Sequence, residues 1–150
     1  MTQASLAAAL FYRDPWAALA WLEQAFGFER SMVISDAEGG LAHSQMTFGN
    51  GYIMVGREWA DFTASPLGVG GKNTQFLHVH LDDGIDAHCA CAREAGAEIL
   101  QEPEEQFYGD RTYRARDPEG HIWTFGVTEK RMTPEQWDKA SGLTTKKRLD

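Results

Sequence analysis

Cysteine, clustered positive charge and long apolar runs are all scarce in this sequence. The only cysteines, Cys89 and Cys91, stand two apart in a helical pattern and project in different directions, which excludes a bridge between them and any disulfide framework. Lys and Arg number 14 against 22 Asp and Glu, for a formal net charge of −8. Contacts to phosphate need a clustered cationic surface, so nucleic acid and anionic lipid are excluded as main partners. The one basic run, Lys146-Lys147-Arg148, lies in a polar tail and reads as a solvated terminus. No apolar run approaches the about 18 residues of a membrane span. The stretch Leu6 to Phe11 lacks a preceding basic region and is too short for a signal core. The expected location is the cytoplasm.

What the chain does contain is one unit written twice. From Asp14, apolar residues at Ala18, Leu19, Leu22, Ala25 and Phe26 keep helical spacing, with Asp14 as the N-cap, Pro15 in the first turn and Gly27 as the stop. From Asp83, Ile85, Cys89, Ala92 and Ala95 repeat the stripe and Gly96 ends it. Gly51 lies 24 residues after Gly27, and Gly120 lies 24 after Gly96, each opening a strand-like run. A single offset of 69 residues relates all three pairs.

Strands are expected at Ser5 to Tyr12, Phe28 to Ser35, Leu41 to Phe48 and Tyr52 to Gly56 in the first unit. In the second they are expected at Gln75 to Asp82, Ala97 to Leu100, Arg111 to Arg116 and His121 to Val127. Each unit therefore reads βαβββ. The expected organisation is one domain over residues 1–150: a first module at about 5–57, a linker at 58–74, a second module at about 75–128 and a tail at 129–150. The linker carries Pro66, Gly68, Gly70 and Gly71, and Thr133-Pro134-Glu135 opens a short helix in the tail. An amphipathic helix buries its stripe on its own sheet, so the fold class is α+β, with two curved mixed sheets whose free faces enclose a cleft. Such a cleft is the default site for a small molecule.

The run Tyr108-Gly109-Asp110-Arg111, followed by Asp117-Pro118-Glu119-Gly120-His121-Ile122-Trp123, resembles the vicinal oxygen chelate superfamily. That group includes glyoxalase I, extradiol dioxygenases, and fosfomycin- and bleomycin-resistance proteins. Asp14 with Phe26-Gly27-Phe28, and Asp82-Asp83-Gly84-Ile85-Asp86, look like the matching marks of the two modules, so the resemblance spans roughly residues 5–128. It implies the glyoxalase/bleomycin-resistance fold, and commonly a homodimer whose clefts form within a chain or by exchange of modules. In the family's metalloenzymes, His, Gln and Glu on the first and last strands of each unit hold a divalent ion. Those positions fall here on Ala7, Phe76, Thr124, and Met54 or Val55 depending on a one-residue register. None brings the N or carboxylate donors such an ion needs.

The resemblance thus implies a small organic ligand, with aromatic compounds among the candidates, and no metal cofactor. Phe76, His78 and His80 alternate with Leu77, Val79 and Leu81, so the first set faces the cleft if the second faces the helix. Thr124 joins them by the same parity, while Trp123 and Phe125 are core. Gln45 and His43 share a polar strand face that is either cleft or solvent. Arg111 can grip a ligand carboxylate or pair with a neighbouring acid, and Tyr108 can close over the cleft or pin its loop. His121 is expected at the solvent side or bonded within its turn. His88 and Cys89, adjacent on a helix, diverge and do not form a nucleophile–base pair.

The leading expectation is a protein that binds or sequesters its ligand, with no catalytic residue assigned. The competing readings are a lyase, isomerase or dioxygenase whose metal (Zn, Ni or Fe) sits on displaced ligands His78, His80 and His43, and a metal-free epimerase-like enzyme with His78 or His80 as base. A scaffold without a ligand completes the set.

Overall fold

The structure, a computed structural model, describes residues 3–148. The order is β1 (Ala7–Tyr12), α1 (Pro15–Phe26), β2 (Glu29–Ser35), β3 (Leu41–Phe48), β4 (Gly51–Arg57), a 3-10 turn (Pro66–Val69), β5 (Leu77–Leu81), α2 (Ile85–Glu94), β6 (Glu98–Glu105), β7 (Asp110–Arg116), β8 (Ile122–Thr128) and α3 (Pro134–Ser141). The strands form two four-stranded sheets, β1-β4-β3-β2 and β5-β8-β7-β6, in which the first and last strands of each unit pair in parallel. The duplicated βαβββ unit is therefore present as two sheets of identical topology. Among the described residues no helix is long and apolar enough to cross a membrane.

Local chemistry accounts for the elements. Asp14 Oδ1 accepts from the Ala17 N–H at 3.1 Å, and Gly27 ends α1 in the left-handed region at φ +82°. Every apolar stripe residue of α1 is buried. The second helix departs from the pattern. Its N-cap is Gly84 at φ +73° with no side-chain cap, so Asp83 does not repeat the role of Asp14 and α2 is shorter. Strand β6 runs past the expected Leu100 to Glu105. It is an edge strand with register shifts on both sides of Gln101, and such bulges let an edge carry Pro103 without a ladder hydrogen bond.

One apolar core spans both units, with Phe26 and Phe28 of the first against Trp123 and Phe125 of the second. Polar bolts reinforce it. Trp21 Nε1 donates to the Ala95 carbonyl at 2.8 Å. His88 Nε2 donates to the Phe26 carbonyl at 2.8 Å while the Tyr113 hydroxyl donates to His88 Nδ1 at 2.5 Å. The Asp117-Pro118-Glu119-Gly120 turn is a further junction. Asp117 Oδ2 accepts from the Tyr12 hydroxyl at 2.6 Å and Trp123 Nε1 at 3.2 Å, and Oδ1 accepts from the Glu119 and His121 backbone N–H groups. The Glu119 carboxylate accepts from the backbone N–H groups of Arg13 and Asp14, and His121 Nε2 donates to the Phe11 carbonyl. His121 is thus bonded within its turn, as expected, and in addition ties that turn to β1 of the first unit.

The units meet through α1 and α2 and this core, and no strand of one sheet makes substantial contact with a strand of the other. The free faces of the two sheets are therefore not closed against each other within one chain. The sequence reading had them enclosing a cleft.

Candidate functional site

Strand parity decides which side chains reach the free face of the second sheet. Leu81 is buried in the core, and Leu77 and Val79 pack against it, which turns His78 and His80 outward and leaves both exposed. Phe76, directly before β5, is on the same side and 51% exposed. In β8, Trp123, Phe125 and Val127 are core, and Thr124 and Gly126 lie on the free side opposite His78 and His80. In β7, Tyr113 and Ala115 are core, which puts Thr112 and Arg114 on the free side, registered with Gly126 and Thr124.

These residues touch. Arg114 Nε donates to Thr124 Oγ1 at 3.0 Å, and its guanidinium carbon lies 5.2 Å from the centre of the Phe76 ring. A cation over an aromatic face is attracted by the ring quadrupole. Gly126 makes room for the His78 imidazole, because a Cβ there would stand 3.2 Å from Nε2. A hollow of about 630 Å³ between edge strands β1 and β5 continues this face toward the first unit, where Ala7, Phe48 and Tyr52 meet Phe76, His78 and His80.

Phe76, His78, His80 and Thr124 are thus brought together, and the four other expected site residues are not. Gln45 and His43 lie on the free face of the first sheet beside Met54, bonded to each other at 3.1 Å. Arg111 faces the opposite side of its strand, registered with core Val127, and its guanidinium donates to both carboxylate oxygens of Asp86 on α2. That pairing pushes the Arg111 pKa up and leaves it off the free face. Tyr108 sits past the end of the sheet, in a hollow that His80 also lines, and burial pushes its phenol up so that it stays neutral. Arg114 is the residue that sequence reasoning missed. Alternation from Tyr113 and Ala115 could have found it, as it found Thr124 from Trp123 and Phe125.

The metal positions of the family can be checked against these side chains. Met54 registers with Ala9 and Gln45 on the free face while Val55 is core, so Met54 is the counterpart of Thr124. The set is then a methyl group, a phenyl ring, a thioether and a hydroxyl already bonded to Arg114. It does not fit a divalent ion, which takes imidazole, carboxylate or thiolate donors. Among the described residues no three His, Cys, Asp or Glu side chains are grouped to hold one, and His43 lies on a different sheet from His78 and His80.

The model of the Glyoxalase/Bleomycin resistance protein/Dioxygenase superfamily matches residues 5–125. No curated protein matches the chain. Among solved structures, TioX from Micromonospora sp. ML1 is 33% identical, with 83% of this chain and 98% of that one covered at a TM-score of 0.68. TnmS3, an antibiotic binding protein from Streptomyces sp. CB03234, is 18% identical over 85% of this chain and 98% of its own at a TM-score of 0.64. A superfamily member from Sphaerobacter thermophilus DSM 20745 is 19% identical over 85% and 98%, at 0.66. With two βαβββ units, a family match over most of its length and a relative of this identity, the chain belongs to the glyoxalase/bleomycin resistance protein/dioxygenase superfamily.

Proposed function

We propose that this protein binds and sequesters a small organic molecule carrying a flat ring on the free face of its second sheet, without a metal ion and without turnover. The observation that carries this is Phe76. A phenyl ring stands where the family's metalloenzymes place a ligand, half exposed and with the Arg114 guanidinium over its face. A flat ring can stack on Phe76 while Arg114, His78 and His80 take its polar or anionic substituents. The likeness to an antibiotic binding protein supports sequestration over catalysis. The reading places the protein in the cytoplasm, where its two free thiols stay reduced. It also pairs the chain with a second copy, since a free face unclosed within one chain can be covered by the opposite sheet of another.

The test uses 8-anilinonaphthalene-1-sulfonate, a flat aromatic anion, followed by fluorescence. A stacking term of about 0.5–1.5 kcal/mol predicts that Phe76→Ala weakens binding roughly 2- to 12-fold. Unchanged affinity refutes the site. In parallel, calorimetry with zinc and nickel is expected to show no site at micromolar metal. Micromolar binding that disappears in His78→Ala would overturn the metal-free reading.

A further inference from the structure

The C-terminal segment lies outside the matched residues 5–125, yet it is built onto the edge of the proposed site. The backbone N–H groups of Glu129 and Lys130 both donate to the Gly109 carbonyl at 3.0 Å. Gly109 is at φ +96°, and a Cβ there would come 1.9 Å from the Lys130 carbonyl oxygen, so only glycine permits this docking. The segment then organises itself. Thr133 and Gln136 form a capping box at the start of α3. Trp137 Nε1 donates to Thr145 Oγ1 at 2.6 Å, and Thr145 donates from N and Oγ1 to the Asp138 carboxylate.

Although so well tied, α3 has no fully buried residue. It stands off the sheet and leaves a hollow of about 780 Å³ lined by His80, Phe107, Tyr108, Lys130, Arg131 and Trp137, among others. Three aromatic side chains and two cations are concentrated there, together with the carboxylates of Asp110 and Asp138, the latter already held by Thr145. Lys130 and Arg131 form no ion pair among the described residues. His80 lines both this hollow and the one that holds Phe76, so the two adjoin at that side chain.

We propose that the C-terminal segment forms a second ligand subsite, so that the protein selects an elongated organic anion with two flat ring systems over a single-ring one. This rests on the sheet-face reading above. The first ring stacks on Phe76, the molecule passes His80, and the second ring lies among Tyr108, Phe107 and Trp137 with its anionic group toward Lys130 and Arg131. A ligand bridging two subsites gains because the second contact is intramolecular once the first is made.

Fluorescence titration of the full chain with 8-anilinonaphthalene-1-sulfonate and with its elongated double form, 4,4′-dianilino-1,1′-binaphthyl-5,5′-disulfonate, tests it. Trp137→Ala and Lys130→Glu are each expected to weaken the double probe about tenfold while moving the single probe less than about twofold. Circular dichroism confirms the fold of each variant, and Lys130→Glu spares the aromatic contacts of α3. If both variants leave the double probe unchanged, or weaken both probes equally, while Phe76→Ala still weakens the single probe, the second subsite is wrong and the sheet face stands. If Phe76→Ala also leaves the single probe unchanged, both readings fall.

Discussion

Removing the Asp117 carboxylate should loosen the joint between the two units, and the structure sets the size of the effect. Asp117 is 3% exposed and accepts four hydrogen bonds, two of them from donors with no access to water: the Tyr12 hydroxyl and Trp123 Nε1, on residues 1% and 0% exposed. A buried donor left without its acceptor costs about 1–3 kcal/mol. In Asp117→Ala two such donors are stranded, and the Glu119 and His121 backbone N–H groups, in part-buried surroundings, lose an acceptor they can partly replace with water. The expected loss is roughly 4 kcal/mol. At this chain length 1 kcal/mol moves Tm by about 2–4 °C, so the melting point should fall by roughly 10 °C. Tyr12→Phe removes one bond without stranding a donor and should cost only about 1 kcal/mol. Asp117→Asn is not a rescue, because its amide turns a donor toward one of these sites. Thermal unfolding followed by circular dichroism reads all three. A melting point for Asp117→Ala within 2 °C of the parent, on a scale where about 10 °C is expected, refutes the reasoning.

Two further outcomes follow from the same geometry. Burial lowers the His88 pKa below its ordinary 6.5, so the unfolded chain takes up the proton first as pH falls; stability from this residue is full above about 6.5 and declines below it. Urea midpoints between pH 7.5 and 5 should therefore drop in the parent and drop less in His88→Gln, and parallel slopes would contradict this. If two copies cover each other's sheet faces, sedimentation equilibrium at micromolar protein should give twice the 16.7 kDa chain mass, with an interface of about 1,200–2,000 Å². A single-chain mass at those concentrations rules the pairing out.

Local chemistry was legible where it repeats. The α1 cap at Asp14, the stop at Gly27 and the buried stripe between them follow from residue type and spacing, and the strand runs from alternation. The β6 extension was not legible, because Gln101 to Glu105 has no strand propensity and is held only by pairing with β7. Nor was the start of α2, where Asp83 has the residue type of a cap but the backbone of Gly84 takes the position. At the site, parity put Thr124 on the free face and Trp123 in the core, since a period of two is a local property of the chain. Arg111 was left between a ligand and a neighbouring acid for a different reason. Its destination depends on Asp86, which approaches only after α2 has packed on the sheet.

The sequence by itself determined the duplicated unit, the inward and outward faces of most strands and the absence of suitable ligands at the family's metal positions. Those are consequences of residue type at a fixed spacing. Only the tertiary structure decided which faces meet. It fused the two helix-covered layers through Phe26, Trp123 and the Asp117 turn, left the free faces of the sheets apart, and brought Arg114 over Phe76 and the tail beside His80. Each of these is a contact between residues far apart in the chain or on neighbouring strands, set by how the layers pack, which no local period encodes.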